Sequence, residues 1–294
     1  MKEHSSNVTR FLPHMLILLQ GLLYGLGDPL SKDAFYVMPV YSLLSIRYTI
    51  ALLALMLFCG KRIVAGIKAA PLRSWLIPSL CMGGAYISNN IALNITGATT
   101  VAFLRSLSTV MTPILALAFF KKKLGKKQIV IQLLVVVGLY LLCGPSGTGS
   151  FGAGEIFALL SALLLAGSLV FGEKSLEQVD SVTLTALQIA ASAIMASVCA
   201  PVFNGGWHID VITPKIWFII LYLALACTLA GYMLQNAALT KISSRTAALL
   251  QCFCPVMTAA FSFLLLGERL SVSGFFGACL IVACVAAETL LTEE

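Results

Sequence analysis

The chain has 294 residues, of which 59% are hydrophobic and only 11% charged, with a formal net charge of +7. A soluble domain carries roughly a quarter charged residues to meet water, so this composition excludes a water-solvated surface and points to lipid as the solvent. The positive balance comes without a reading module or aromatics interleaved among basic residues, so nucleic acid is not an expected partner.

In chain order, stretches of about 20 apolar residues, the length that crosses a bilayer, are predicted at 12–31, 37–58, 75–94, 98–120, 128–144, 153–172, 181–202, 214–238, 243–266 and 272–291. Only tails and short connections remain between them. Leu133–Leu142 and Ile156–Leu165 are apolar at nearly every position, which the alternating pattern of a barrel strand does not allow. The expected fold class is an all-α integral membrane protein with ten transmembrane helices. The first apolar run is too long for a cleavable signal peptide and lacks a small-residue cleavage site. The nine cysteines read as small apolar residues of helix interiors.

The basic residues are distributed unevenly. With a cytoplasmic amino terminus, fourteen of the nineteen Lys and Arg fall on the inner side, five of them in Lys121–Lys127. Lys32, Lys215 and Arg269 fall outside, and Arg47 and Arg105 lie within spans. This bias predicts both termini cytoplasmic in a multi-pass plasma-membrane protein. The lysine cluster reads as a topology anchor at anionic headgroups.

Residues 85–124 match 231–270 at a constant offset, with eleven identities that include Tyr86 with Tyr232, Asn90 with Asn236 and Thr100 with Thr246. The chain therefore divides into two five-helix halves, 12–144 and 153–291, joined by a glycine-rich linker over Gly144–Gly154. Five spans are an odd number, so the second half enters the membrane inverted. Two inverted repeats with a site near the midplane is an arrangement of secondary transporters.

Pro255 followed by Leu266-Gly267-Glu268-Arg269-Leu270, the pair Tyr24-Gly25 and the segment Ile46-Arg47-Tyr48 carry a further signal. Together with the ten-span, five-plus-five plan they resemble the EamA-type branch of the drug/metabolite transporter superfamily. The resemblance implies a cofactor-free secondary transporter of metabolites, often an exporter, with its pocket between the halves. The first half departs from the pattern. Thr109 stands at the position of Pro255, Lys122 at that of Glu268, and the nearest proline is Pro113.

Ionisable residues at membrane depth are costly and so become functional candidates. Arg105 lies about 12 Å into the fourth span at helical rise, and its repeat mate is Gln251 in the ninth. It faces either substrate or a buried carboxylate. Arg47, near the centre of the second span, has a coupling role or a structural one, pairing with Asp28 or capping a broken helix. Asp28 precedes the helix-bending Pro29. It reads as a proton-coupling carboxylate, an interfacial acid or a partner of Arg47. Glu155, Glu173 and Glu288 read as interfacial. Tyr86 with Asn90, and Tyr232 with Asn236, each share a helix face. An aromatic beside an amide suits a small polar substrate, and equally suits interhelical packing. Gly21-x-x-x-Gly25 is expected to let helix backbones approach.

His4, His14 and His208 fall at or beyond the membrane edges without metal spacing, and phosphate-binding loops and catalytic pairs are absent from the sequence. No cofactor, no metal and no enzymatic activity are therefore expected. The expected function is secondary transport by alternating access of a small metabolite, such as an amino acid or organic anion, in the direction of export, with protons as a candidate coupling partner. The alternatives are a lipid or lipid-linked-sugar flippase, which needs a lateral opening, and a non-transporting membrane subunit.

Overall fold

The computed structural model describes residues 2–122, 125–143, 152–266 and 271–291, and every regular element among them is helical. The helices form ten columns. The first three are α1 (Lys2–Phe35), α2 (Val40–Ala69) and α3 (Leu72–Ile95); the fourth is two helices, α4 (Ala98–Ser106) and α5 (Ser108–Phe120). The fifth to seventh are α6 (Lys126–Cys143), α7 (Ala153–Ser175) and α8 (Ser181–Asn204). The eighth runs through α9 (Pro214–Tyr222), a π-helical stretch Leu223–Ala230 and α10 (Gly231–Leu239). The ninth is α11 (Ser244–Leu250) with α12 (Phe253–Leu266), and the tenth is α13 (Val272–Leu291). Six of these are long and apolar enough to cross a membrane by length and composition alone. Most of the linker, 144–151, and the motif residues 267–270 lie outside the described residues.

Local chemistry sets many of the ends. Pro39 and Pro71 stand just before α2 and α3, where an extended residue precedes the first helical turn. Asp180 caps α8 through the Val182 and Thr183 amides, and Thr213 caps α9 ahead of Pro214. Gly205, at φ 74°, closes α8 in the left-handed conformation that costs glycine nothing. The helix α2 outruns its expected end at residue 58, because Gly60 alone does not stop it. Its 30 residues span about 45 Å, which carries Arg62 past the apolar zone to Asp180 at 3.1 Å.

The distribution of side chains inverts that of a water-soluble protein. Leu57, Phe58 and Phe218 are more than 70% exposed, whereas Gln20, Gln188, Gln235 and Asn236 are fully buried. Apolar groups outside and amides inside is the pattern expected when the solvent is hydrocarbon.

The contacts follow the repeat. The first column packs on the ninth, and the sixth, its repeat mate, packs on the fourth. The third packs on the sixth as the eighth packs on the first, while the second with the seventh and the fifth with the tenth are self-related pairs. The fold is thus two inverted five-helix repeats. Small residues allow the closest approaches. A Cβ on Gly25 would lie 2.5 Å from Met257 Cβ and 2.9 Å from its carbonyl carbon; one on Gly277 would lie 2.6 Å from the Gly138 carbonyl oxygen.

Two carboxylates at one end of the bundle prove to be structural ties. Glu173 accepts from Lys122 Nζ at 2.7 Å and from the Ser244 amide and hydroxyl at 3.0 and 2.6 Å, joining α7, α11 and the connection after α5. Glu288, expected at the interface, is buried and accepts from Thr246 at 2.9 Å. On the opposite side Glu155 accepts from Thr96 at 2.8 Å and from the Gly152 amide at 2.9 Å. His14, expected at an edge, is buried within α1.

Candidate functional site

The fourth and ninth columns are each predicted as one unbroken span, yet each is interrupted at nearly the same repeat position. In the fourth, α4 ends at Ser106 and Leu107 turns before α5. Ser106 bonds back to the Ala102 carbonyl at 2.7 Å, an alternative that competes with the helical ladder. In the ninth, Gln251 and Cys252 form the turn between α11 and α12. Pro255 has no amide hydrogen to offer the Gln251 carbonyl, and the Cys254 amide takes it instead at 2.9 Å in a tighter bond. Discontinuous helices facing each other across a pseudo-two-fold axis are how inverted-repeat transporters build their sites.

Between the two breaks lies a narrow cavity of about 30 Å³, walled by the first, fourth, sixth and ninth columns. Both halves of the chain therefore contribute to it. Arg105, in the last turn of α4, and Gln251, at the break in the ninth column, line it from opposite sides. The carbonyls at the end of a helix favour a cation there.

Arg105 donates to Tyr86 Oη at 3.2 Å, and its guanidinium lies 3.8 Å from Asp28 Oδ2. It also sits 5.0 and 5.9 Å from the ring centres of Tyr86 and Tyr24, within the range of cation–π attraction. Tyr24 meets Tyr86 edge-on at 5.9 Å, and Tyr86 meets its repeat mate Tyr232 at 5.3 Å. An aromatic wall thus backs the charged pair.

A glutamine cluster adjoins it, with Gln20 and Gln251 lining the cavity and Gln235 behind them. Gln251 Nε2 donates to Gln235 Oε1 at 2.8 Å and to Gln20 Oε1 at 3.2 Å. Gln20 Nε2 in turn donates to Gln235 Oε1 and to the Gly231 carbonyl, each at 3.1 Å, and reaches the Tyr24 hydroxyl at 3.3 Å. Three amides in mutual contact tie the first and ninth columns, which line the cavity, to the eighth behind them.

The other sequence-derived residues are distributed unevenly. Asn90 donates to the Tyr86 carbonyl of its own helix at 2.7 Å and lines a neighbouring space rather than the central one. Asn236 turns away to Thr185 Oγ1 at 2.9 Å and Gln188 Oε1 at 2.7 Å on α8. Arg47 does not pair with Asp28. Its Nε donates to Thr228 Oγ1 at 2.6 Å, and its guanidinium lies 5.6 Å from the Tyr48 ring centre. Thr228 belongs to the π-helical stretch and donates to the Leu223 carbonyl five residues back at 3.0 Å, so the π geometry presents it to Arg47. Such stretches are frequent at functional sites. Sequence reasoning overlooked Gln20. Its signal was an amide near the middle of an otherwise apolar run, which hydrocarbon alone does not tolerate. Among the described residues, no group of three His, Cys, Asp or Glu side chains is placed to hold a metal.

The EamA-like transporter family model matches the chain twice, over residues 12–144 and 152–287. Two proteins of Archaeoglobus fulgidus, each described as an uncharacterized transporter, are similar along nearly their whole length. One is 26% identical over 282 residues, covering 96% of this chain and 87% of the relative; the other is 25% identical over 265 residues, covering 87% and 90%. A protein of known crystal structure superposes with a TM-score of 0.78 at 17% identity, covering 95% of this chain and 96% of its own. That likeness bears on the fold alone.

Proposed function

The chain belongs to the EamA-like transporter family, and we propose that it moves a small carboxylate-bearing metabolite, an amino acid or organic anion, out across the plasma membrane by alternating access. The observation that carries this reading is the central cavity, lined by both inverted halves at paired helix breaks and holding Arg105 as its cation. A guanidinium presents a planar donor fork that matches a carboxylate bidentately. Tyr24 beside it supplies an aromatic surface, and Gln20 and Gln251, braced by Gln235, supply amide contacts.

Asp28 gives the site a way to exchange partners. At 3.8 Å its carboxylate is paired with Arg105, so an incoming carboxylate competes with it for the guanidinium. The displaced Asp28 is the carboxylate proposed to carry the coupling proton. Substrate and proton then compete through one arginine. Both termini lie on the cytoplasmic side in this reading, supported by the fourteen-to-three distribution of Lys and Arg.

The test is uptake into proteoliposomes loaded with a panel of labelled amino acids and mono- and dicarboxylates, with and without a proton gradient. Counterflow of at least one carboxylate is expected, lost in Arg105→Gln, with Asp28→Asn retaining counterflow but losing its response to the gradient. Carboxylate counterflow by folded Arg105→Gln protein at the wild-type rate refutes the assignment.

A further inference from the structure

The sixth column carries three layers on successive turns. Leu165, Leu169 and Glu173 recur every four residues along one face of α7. Leu165 lines the central cavity, Leu169 is buried in an apolar cluster, and Glu173 makes the tie to Lys122 and Ser244. The ninth column keeps the same order. Gln251 and Ala248 line the cavity, Ala247 joins the apolar cluster, and Ser244 meets Glu173. On the first column Gly21 lines the cavity, and Ile17, one turn nearer the amino terminus, belongs to the cluster. Toward this end of the bundle the cavity is therefore closed by an apolar layer and then by a polar tie. From Leu165 to Glu173 the two together span about 12 Å of helix.

The tie joins the elements that must part for this end to open. Of the four columns that wall the cavity, Glu173 fastens three together. Lys122 follows the fourth, Glu173 stands near the end of the sixth, and Ser244 opens the ninth. Lys122 comes from the first half of the chain, the other two from the second. The carboxylate takes an ammonium at 2.7 Å and a hydroxyl at 2.6 Å, charge-assisted bonds of the stronger kind. The helix α11 is built to move as one piece. Its seven residues run from the tie at Ser244 to the turn at Gln251 and Cys252, and element ends of this kind absorb hinge motion. A cavity of about 30 Å³ holds about two waters, so a metabolite enters only when a wall moves.

We propose that Glu173 is the latch of a gate at this end of the bundle. With its bonds to Lys122 and Ser244 made, α11 holds the apolar layer shut. With them released, α11 swings about the turn at Gln251 and Cys252 and opens the cavity to that face. Under the alternating-access reading above, on which this rests, α11 is the element that moves and Glu173 the group that restrains it.

The test is thiol accessibility in a background with all nine cysteines replaced. Ser108→Cys, nearly isosteric, reports from inside, since Ser108 lines the cavity and is 3% exposed. A sulfonated, impermeant methanethiosulfonate is added to intact cells and to inverted membrane vesicles. Lys174→Cys, exposed beside the latch, shows which preparation presents that face. From that face Glu173→Gln is expected to speed labelling of the reporter at least about ten-fold, for the loss of charge-assisted bonds. From the other face the rate should stay unchanged. Lys122→Gln should give a smaller rise, whereas Lys122→Arg, which keeps the charge, should label like the parent. Lys174→Gln, which breaks the neighbouring pair with Glu177, should also label like the parent. Folded Glu173→Gln protein labelled at the parent rate overturns the proposal. An equal rise from both faces overturns it too, because it marks general loosening. Where Glu173→Gln does not fold, Lys122→Gln decides, and the absence of any rise there is equally fatal. Labelling needs no substrate, so the latch and the carboxylate assignment fail separately.

Discussion

Removing Arg105 should damage stability through the carboxylate it leaves behind. At 3.8 Å a pair of unit charges interacts by about 4 kcal/mol at an effective dielectric of about 20. Desolvation offsets part of this, and breaking a buried pair from one side costs about 3–5 kcal/mol when the pair is fully buried. Asp28 and Arg105 retain 20% and 13% side-chain exposure, so a cost of about 2–3 kcal/mol is expected for Arg105→Gln. Neutralising the partner should recover most of it, so Arg105→Gln/Asp28→Asn is expected within about 1 kcal/mol of wild type. Unfolding by SDS titration from mixed micelles, measured for both single variants and the double variant, reads these differences directly. Substrate counterflow by the same proteins separates stability from binding: the double variant should be folded and inactive. A double variant no more stable than Arg105→Gln would show that the pair carries no coupling energy. Restored counterflow would show that Arg105 does not contact substrate.

Gly25→Ala should disrupt packing of the first column on the ninth, because the new Cβ meets Met257 at 2.5 Å; an overpacking cost of about 1–3 kcal/mol is expected in the same SDS titration, and wild-type stability would refute the close approach. Single cysteines in a cysteine-free background report topology: Ser146→Cys should react with an impermeant thiol reagent on intact cells and Lys123→Cys should not, and the reverse pattern would invert the orientation. Replacing Lys121, Lys123, Lys126 and Lys127 with Gln should lower the fraction of correctly oriented protein but not activity per inserted molecule. Lys122→Gln should also loosen the tie to α7, because its ammonium lies 2.7 Å from Glu173; thermal stability of purified protein separates the two effects. Asn236→Leu should cost about 1 kcal/mol of stability through loss of its bonds to Thr185 and Gln188, with substrate selectivity unchanged in counterflow.

The sequence by itself determined the solvent, the ten columns and the inverted pairing. Each depends on quantities that accumulate along the chain: about twenty apolar residues per crossing, an excess of lysine and arginine on alternate connections, and a repeat that keeps one offset through Tyr86/Tyr232 and Asn90/Asn236. It also marked Arg105 and Asp28, since a charge in an apolar run stands out wherever it points. Partners were decided only by the tertiary structure, because helical depth fixes a residue's level in the membrane and leaves its azimuth to packing. Arg47 and Arg105 lie at similar depth. Asp28 nevertheless faces Arg105, because the first column, drawn against the ninth by Gly21 and Gly25, presents that face to α4, while Arg47 is held by Thr228. Asn90 and Asn236 are repeat mates in sequence, yet Asn236 bonds to α8 whereas Asn90 bonds back to the Tyr86 carbonyl of its own helix. The breaks at Leu107 and Gln251 were hidden for the same reason. Serine back-bonding and a missing proline amide only permit an interruption, and it forms where neighbouring helices and side chains satisfy the backbone groups that it frees.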